Sequence, residues 1–298
     1  MKVIFGGVRG SSPVCGPQFS EFGGETTSVL VCGAAGERIV IDAGTGVRNL
    51  QPFLGAASEP MTLLLTHLHH DHLMGLTAFA PLYQKQRPLT IVGPVAPGGQ
   101  PDTLANLSRY MGAPYWPIEL SAAGAQLTTH DVSWRDGTWL ADSDREFLAV
   151  GALEVRACAV NHPDGCLAWR IDEPASGAAL VFATDLEWGR ADAQQRSCFT
   201  DFCRQPRPLS WLVMDGQFTQ AQYEAHAGWG HSTLTEVATV GAAVGAREIL
   251  ATHHDPGNDD ETLREHAAEL QALVGGLGCV ARASCARQGQ ELEWLTDD

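Results

Sequence analysis

The chain has 298 residues, of which 35 are Asp or Glu and 19 are Lys or Arg, which gives a formal net charge of −16. Its composition, 44% hydrophobic and 18% charged, is typical of a globular protein and excludes an intrinsically disordered chain. The acidic balance disfavours a protein that follows a long phosphate backbone, and no apolar stretch approaches the roughly 20 residues of a transmembrane helix.

The N-terminal segment MKVIFGGVRG contains only a short apolar run, VIF. A secretory signal needs a longer apolar core than this. We therefore predict a cytoplasmic protein with no membrane partner.

Short apolar runs bounded by Gly, Pro or Asp predict a series of buried strands along the chain. The predicted strands cover residues 3–5, 28–32, 38–42, 61–66, 89–92, 153–160, 179–184, 209–215 and 248–252. Strands of this kind, followed by helices, predict two sheets covered by helices in a layered α/β sandwich.

Two helices near the C-terminus are indicated by capping patterns. Thr233 followed by Glu236 predicts a capping box that opens a helix reaching about residue 245. Asn258 followed by Glu261 predicts a second helix start, and the Gly-Gly pair at 275–276 predicts where that helix ends.

The stretch 94–151 is the least regular part of the chain and contains five prolines. We interpret it as a lid-like insertion within a single domain that spans residues 1–298, because ordered loops of this length are usually functional. Tyr115 and Trp116 lie in this stretch. They are candidates either for stacking on a substrate ring or for packing inside the lid.

The strongest chemical signal is the segment THLHHDH at 66–72, which directly follows a predicted strand. His67, His69, Asp71 and His72 bring three imidazoles and a carboxylate to the turn after that strand. These are ligands that divalent metals accept. Their spacing predicts a metal site in preference to a solvated polar loop.

Three further ligand-type residues, His162, Asp185 and His253, each come after a predicted strand. Taken singly, each could be a turn or capping residue. Because all three share the local context of the first segment, we predict that they complete the same metal centre.

The H-x-H-x-D-H motif, with these downstream His and Asp residues, resembles the metallo-β-lactamase superfamily of dinuclear metallohydrolases over nearly the whole chain. The resemblance implies an αββα four-layer sandwich, with the metals in a cleft at one edge. The ligands that it implies are His67, His69 and His162 at one metal, Asp71, His72 and His253 at the other, and Asp185 bridging both. It implies two divalent ions per chain, with Zn²⁺ expected first and Mn²⁺ or Fe as alternatives.

Within this superfamily the chain is more similar to the phosphodiesterase-like branch than to the β-lactamases proper. Those often use Cys at the second metal and lack the His that here is His72. The segment GWGHST at 228–233 is similar to the H-x-T element of ribonuclease Z and of phosphonate-pathway cyclic phosphate diesterases. In those proteins the His acts near the leaving-group oxygen, which makes His231 a candidate here.

His231 lies immediately before a predicted helix, where backbone N–H groups and the helix dipole favour an anion. An imidazole there can protonate a leaving oxygen, or it can cap its own helix. Asp215 can orient His231 or a metal-bound His, or form a plain turn. Asp42 can support the metal ligands from behind or, again, form a turn. We take His231 and Asp71 as the catalytic candidates.

These features predict a dinuclear metal-dependent hydrolase, most directly a phosphodiesterase for a small cyclic phosphodiester or a nucleotide. A ribonuclease Z-like RNA endonuclease is an alternative that the charge of −16 disfavours. A lactone or thioester hydrolase would use the same metals with no evident need for His231, and a metal-binding sensor is the non-enzyme alternative. The expected partner is a small anionic ester rather than a long nucleic acid. A homodimer is an assembly that such folds often form.

Overall fold

Two β-sheets lie face to face in the computed structural model, which describes residues 1–96, 98–137, 139–140 and 146–294. In chain order the strands are β1 (Lys2–Gly7), β2 (Ser28–Cys32), β3 (Arg38–Ile41), β4 (Met61–Leu64), β5 (Pro88–Val95), β6 (Gln126–Ser133), β7 (Leu148–Val150), β8 (Leu153–Val160), β9 (Cys166–Glu173), β10 (Ala178–Ala183), β11 (Trp211–Asp215), β12 (Glu248–Thr252), β13 (Arg282–Cys285) and β14 (Glu291–Glu293). The first sheet has the order β14-β1-β2-β3-β4-β5-β6, and the second has the order β13-β12-β11-β10-β9-β8-β7.

Helices cover the outer face of each sheet. The α-helices within the described residues are α1 (His70–Leu73), α2 (Thr103–Tyr110), α3 (Ala193–Arg204), α4 (Gln220–Tyr223), α5 (Leu234–Val244) and α6 (Asp260–Gly276). Apolar side chains of α3, α5 and α6 pack on the second sheet, whereas α2 and the 3-10 helix Thr45–Phe53 pack on the first. The resulting layers confirm the predicted αββα sandwich. In the part of the chain that the structure describes, no helix is both long and apolar enough to span a bilayer.

The interior between the sheets is filled by apolar side chains from both of them. Phe5 and Ile41 of the first sheet belong to the same buried cluster as Trp169 and Phe182 of the second. Burying a side chain of this size contributes about 1.5–3 kcal/mol. This packing fixes the position of one sheet against the other, and therefore the position of the strand ends that carry the site.

All nine predicted strands form, with ends that differ from the prediction by at most three residues. The sequence pattern does not predict β9, because Arg170 and Asp172 interrupt its apolar run. Both side chains are buried, and Arg170 Nη2 lies 2.8 Å from Asp172 Oδ1. Pairing and hydrogen bonding offset the cost of burying the two charges, so a strand with charged residues can lie wholly inside the sandwich.

The structure confirms the predicted start of α5, whereas α6 starts one residue later than predicted. Thr233 and Glu236 form the predicted capping box, and their side chains satisfy free N–H groups at the start of α5. At α6 the cap is Asp259 and not Asn258. The helix ends at Gly276, in the Gly-Gly pair that predicted its end.

The stretch 94–151 is more regular than predicted. It contains α2 and β6, and β6 pairs in parallel with β5 over eight residues. The polar sequence QLTTHDVS gives this edge strand no strong apolar signal. Residues 97, 138 and 141–145 of the predicted lid lie outside the described residues.

Strand direction brings the carboxyl ends of several strands together. Strands β3 to β6 are parallel to one another, and so are β10 to β13. Strand β8 runs in the same direction as β10, because both are antiparallel to β9. In α/β proteins, ligands bind where such carboxyl ends meet.

Candidate metal centre

The ligand-type residues predicted from the sequence all lie beyond the carboxyl ends of strands. The segment 66–72 follows β4, and His162, Asp185 and His253 follow β8, β10 and β12. The backbone at Asp185 and His253 is left-handed, with φ of 53° and 61°. Asp and His enter this conformation more readily than most residues. The turn out of the strand therefore favours the same residue types that the chemistry needs.

The first group of ligand-type residues consists of His67, His69 and His162. One ring nitrogen from each lies within 4.8 Å of the others, and His162 Nε2 is 3.3 Å from His69 Nδ1. His67 Nε2 is buried and has no hydrogen-bond partner among the described residues. An orphaned buried nitrogen is costly unless something binds it. A cation shared by the three rings would satisfy it.

The second group consists of Asp71, His72 and His253. Asp71 Oδ2 lies 3.3 Å from His72 Nε2 and 3.2 Å from His253 Nε2. The two imidazole nitrogens are themselves 3.3 Å apart. All three residues are buried. Their ligand atoms therefore converge on one point, as the atoms around a bound cation do.

Asp185 lies between the two groups. Its Oδ1 is 3.7 Å from His67 Nε2 and 3.8 Å from His162 Nε2. Its Oδ2 is 3.1 Å from His72 Nε2 and 3.3 Å from His253 Nε2. One carboxylate oxygen thus faces each group, which is the geometry of a bridging ligand.

The electrostatics of this cluster suit divalent cations. Burial lowers the pKa of His67 and of His162, which keeps these rings neutral, with a lone pair free for a metal. Burial opposes ionisation of Asp185, but the imidazoles of His253 and His72 outweigh it and hold the pKa of this carboxyl well below its usual range. Five imidazoles and two carboxylates form a donor set that fits zinc and its neighbours better than calcium.

Asp42 lies behind the centre. Its Oδ2 is 2.8 Å from His72 Nδ1, and it accepts hydrogen bonds from the backbone N–H and the hydroxyl of Thr66. A partner at Nδ1 fixes the orientation of the ring and leaves Nε2 for a metal. Asp42 also turns the chain, with φ of 58°. Asp42 thus lies at a turn of the chain and also contacts His72.

The Nδ1 atoms of two other imidazoles contact polar groups that the sequence did not identify. The Nδ1 of His253 is 3.0 Å from Gln217 Oε1, and the Nδ1 of His162 is 3.0 Å from the carbonyl oxygen of Gly230. A Cβ at Gly230 would lie 2.1 Å from His162 Nδ1, so a side chain does not fit there. Neither a glutamine after a strand nor a backbone carbonyl gives a metal-site signal in sequence.

His231 lies at the edge of the cluster and pairs with Asp215. Its Nδ1 is 2.8 Å from Asp215 Oδ2, and its ring stacks on His253 with centroids 4.9 Å apart. Burial alone would lower the pKa of His231, but the Asp215 carboxylate outweighs it and raises that pKa to about 9. Thr233, not His231, caps α5. His231 is thus paired with a carboxylate and is not the cap of this helix.

A buried carboxylate, Glu187, holds the loop that precedes His231. It accepts hydrogen bonds from the N–H groups of Gly228 and Gly230, at 2.6 and 3.1 Å, and from the Tyr223 hydroxyl at 2.7 Å. This loop also supplies the carbonyl that faces the first imidazole group. In the sequence Glu187 is indistinguishable from a surface acid, so only the fold identifies it.

A cavity of about 250 Å³ opens beside the first imidazole group, with His67 and His69 in its wall. The described part of its lining includes Trp134 but neither Tyr115 nor Trp116. Tyr115 is 83% exposed, and Trp116 packs against the apolar cluster outside the first sheet. The structure thus does not bring these two rings to the cavity. Of the two roles considered for Trp116, it has the packing role.

The chain is similar to known proteins over most of its length. Residues 37–254 match the family described as the beta-lactamase superfamily domain. An uncharacterized protein of Mycobacterium tuberculosis is 27% identical over 257 residues, covering 84% of this chain and 82% of its own. A ribonuclease BN of Cronobacter sakazakii is 25% identical over 278 residues, covering 78% of this chain and 84% of its own.

Two solved structures share the fold at low sequence identity. The short form of human tRNase Z superposes with a TM-score of 0.66 at 17% identity, covering 99% of this chain and 100% of that one. A diphosphatase of the PhnP family gives a TM-score of 0.65 at 17% identity, covering 99% and 98%. Because the family match covers residues 37–254 and the fold agrees with it, the chain belongs to the beta-lactamase superfamily and has the metallo-β-lactamase fold.

Proposed function

We propose that this protein is a dinuclear metal-dependent hydrolase that cleaves a small phosphodiester, either a cyclic phosphate or a nucleotide. The observation that carries the proposal is the position of Asp185, whose two oxygens face two separate groups of ligand-type residues. A carboxylate in that position can join two cations. Paired cations recur in enzymes that hydrolyse phosphate esters by in-line attack.

The residues that would hold the cations are His67, His69 and His162 on one side, Asp71, His72 and His253 on the other, and Asp185 between them. Two divalent cations bound there would supply Lewis acidity at phosphorus and a hydroxide nucleophile near neutral pH. We propose Zn²⁺ first, because imidazole predominates in the donor set, with Mn²⁺ or Fe as alternatives.

His231 would act on the leaving group. Its pairing with Asp215 at 2.8 Å favours a protonated ring near neutral pH, and a protonated imidazole can donate to an alkoxide as the ester bond breaks. Asp42 and the carbonyl of Gly230 would keep two metal-binding rings in one tautomer. Hydrolysis of a lactone or thioester gives no evident role to the pair of His231 and Asp215.

The size of the cavity and the net charge of the chain support a small substrate. The cavity beside the cluster holds about 250 Å³, and the chain carries a net charge of −16. Binding a long RNA would require clustered basic side chains to neutralise its phosphates. A ribonuclease Z-like activity is nevertheless the second candidate, because curated relatives are named ribonuclease BN and ribonuclease Z.

The test combines metal analysis with hydrolysis of bis(p-nitrophenyl) phosphate, followed by a 2′,3′-cyclic nucleotide and a precursor tRNA. We expect two metals per chain, cleavage of the chromogenic diester, and turnover of the small substrate in preference to the RNA. Preferred cleavage of the precursor tRNA would favour the second candidate. Two metals without cleavage of any phosphodiester would overturn the proposal in favour of a lactone or thioester hydrolase, or of a sensor.

A further inference from the structure

The cavity beside His67 and His69 differs in character from the metal cluster that it adjoins. Apolar residues make up much of its wall, among them Pro94, Pro101 and Trp134. None of the described residues that line it is Lys or Arg. A wall of this kind stabilises an uncharged group and provides no cation for a second phosphate.

Trp134 is held in place from two sides. Its backbone N–H donates to the carbonyl of Val95 at 3.2 Å, at the end of the paired strands β5 and β6. A Cβ built on Gly165 would lie 2.1 Å from Cδ2 of the indole, with Cε3 and Cγ the next nearest atoms. Since Cδ2 is a ring-fusion atom, Gly165 packs against a face of the indole. Gly165 lines the cavity as well, so the indole that packs on it is held beside the cavity.

The polar groups in the wall point to the same kind of ligand. Asp164 is 94% exposed, and its Oδ2 lies 4.0 Å from His69 Nε2. A carboxylate at the cavity rim repels a further anionic group on the substrate. Asn106 supplies an uncharged polar contact on the same wall. Such a combination tolerates the polar edge of a heterocycle but disfavours a second phosphate or a carboxylate.

We propose that this cavity is a binding subsite for an uncharged ring carried by the substrate, with Trp134 as its principal contact. The substrate class is thus an aryl or nucleoside phosphodiester without a second phosphate. This inference rests on the proposed phosphodiesterase function and specifies which ester that function serves. Trp134 is a specificity residue in this assignment, because it contacts the group next to the reacting phosphate and not the phosphate itself.

The test uses three esters that share the p-nitrophenolate leaving group and differ in the other substituent. These are methyl p-nitrophenyl phosphate, thymidine 5′-(p-nitrophenyl phosphate) and p-nitrophenyl phosphorylcholine. We expect kcat/KM for the thymidine ester to exceed that for the methyl ester by about tenfold, because stacking on an aromatic side chain changes affinity by that order. Preference for the choline ester over the thymidine ester would mean that Asp164 selects a cation, and would overturn the inference.

Two variants separate ring contact from structural support. Trp134→Leu should raise KM for the thymidine ester about tenfold while leaving the methyl ester within about twofold, since only the former loses a stacking partner. Trp134→Phe should retain most of the preference. Phe53→Leu, which removes a partly exposed ring from the outer helical layer, is the matched control. An equal loss on both esters in Trp134→Leu would show that the residue only supports the fold.

A binding measurement separates failure of this inference from failure of the proposed function. Calorimetric titration of the metal-loaded protein with thymidine 5′-monophosphate and with methyl phosphate requires no turnover. Binding of the nucleotide that weakens about tenfold in Trp134→Leu supports the subsite even if no diester is cleaved. Cleavage of the diesters with no preference for a ring, together with equal binding of the two phosphates, would leave the phosphodiesterase standing and overturn the subsite.

Discussion

His231 and Asp215 form a buried pair in which the imidazole Nδ1 lies 2.8 Å from the carboxylate Oδ2, with side chains 9% and 0% exposed. The same imidazole lies 4.0 Å from Asp185 and stacks on His253. The pair therefore connects the start of α5 with the metal-binding cluster. This position makes His231 the residue whose replacement best separates proton transfer from metal binding.

Replacing His231 with Ala is expected to leave both metals bound and to slow turnover by about 10²–10⁴-fold, the usual contribution of a general acid. Metal content and kcat for bis(p-nitrophenyl) phosphate would be measured on the same preparation. Loss of a metal would instead identify His231 as a ligand, an arrangement that its spacing to Asp185, Asp215 and His253 would also allow.

Asp215→Asn is expected to move the alkaline limb of the pH–rate profile to lower pH. Asp215 raises the pKa of His231 to about 9, against the effect of burial. A general acid is active below its pKa, so activity should persist through neutral pH and fall as pH rises through that value. Removing the carboxylate lowers the pKa, so the fall should begin earlier. An unchanged alkaline limb, with metals retained, would show that this pair does not set the profile.

Asp185→Ala is expected to remove at least one metal, because its two oxygens face both groups of imidazoles. Elemental analysis after dialysis against metal-free buffer would measure the loss. Asp201→Ala provides a control on α3, where the acid is exposed and belongs to none of the ligand groups. Two metals at full occupancy in Asp185→Ala would contradict the bridging role.

Glu187→Ala is expected to weaken metal binding at the first group and to lower kcat, because the loop it holds supplies the Gly230 carbonyl to His162 and carries His231. Tyr223→Phe is the matched control, since it removes one hydrogen bond to Glu187 and leaves both backbone ones. Metal dissociation constants and kcat would be compared. Equal behaviour of the two variants would show that other contacts hold the loop.

The spacing of the ligand-type residues along the sequence indicates much of the candidate centre. Four ligand-type residues lie within the short segment 67–72, namely His67, His69, Asp71 and His72. The other three, His162, Asp185 and His253, each follow an apolar strand that the pattern predicts. Because parallel strands bring their carboxyl ends to a common edge, local signals of this kind imply convergence even before any contact is known. The predicted sandwich follows from the same alternation of strands and helices.

Other features depend on which strands become neighbours. The Nε2 atoms of His72 and His253 meet across 181 positions of sequence, and His231 pairs with Asp215 only because α5 starts beside the end of β11. The buried Glu187 and the cavity wall at Trp134 likewise give no local signal. Tyr115, an equally plausible ring by composition, remains in solvent.

The sequence by itself thus determined the candidate ligand residues, the layers and, to within three residues, the strand ends, because these depend on residue type and on periodicity along a short segment. The tertiary structure decided which carboxylate orients which imidazole, and which aromatic ring faces the cavity. Those choices depend on sheet order and on packing between distant segments, and local propensity does not encode them.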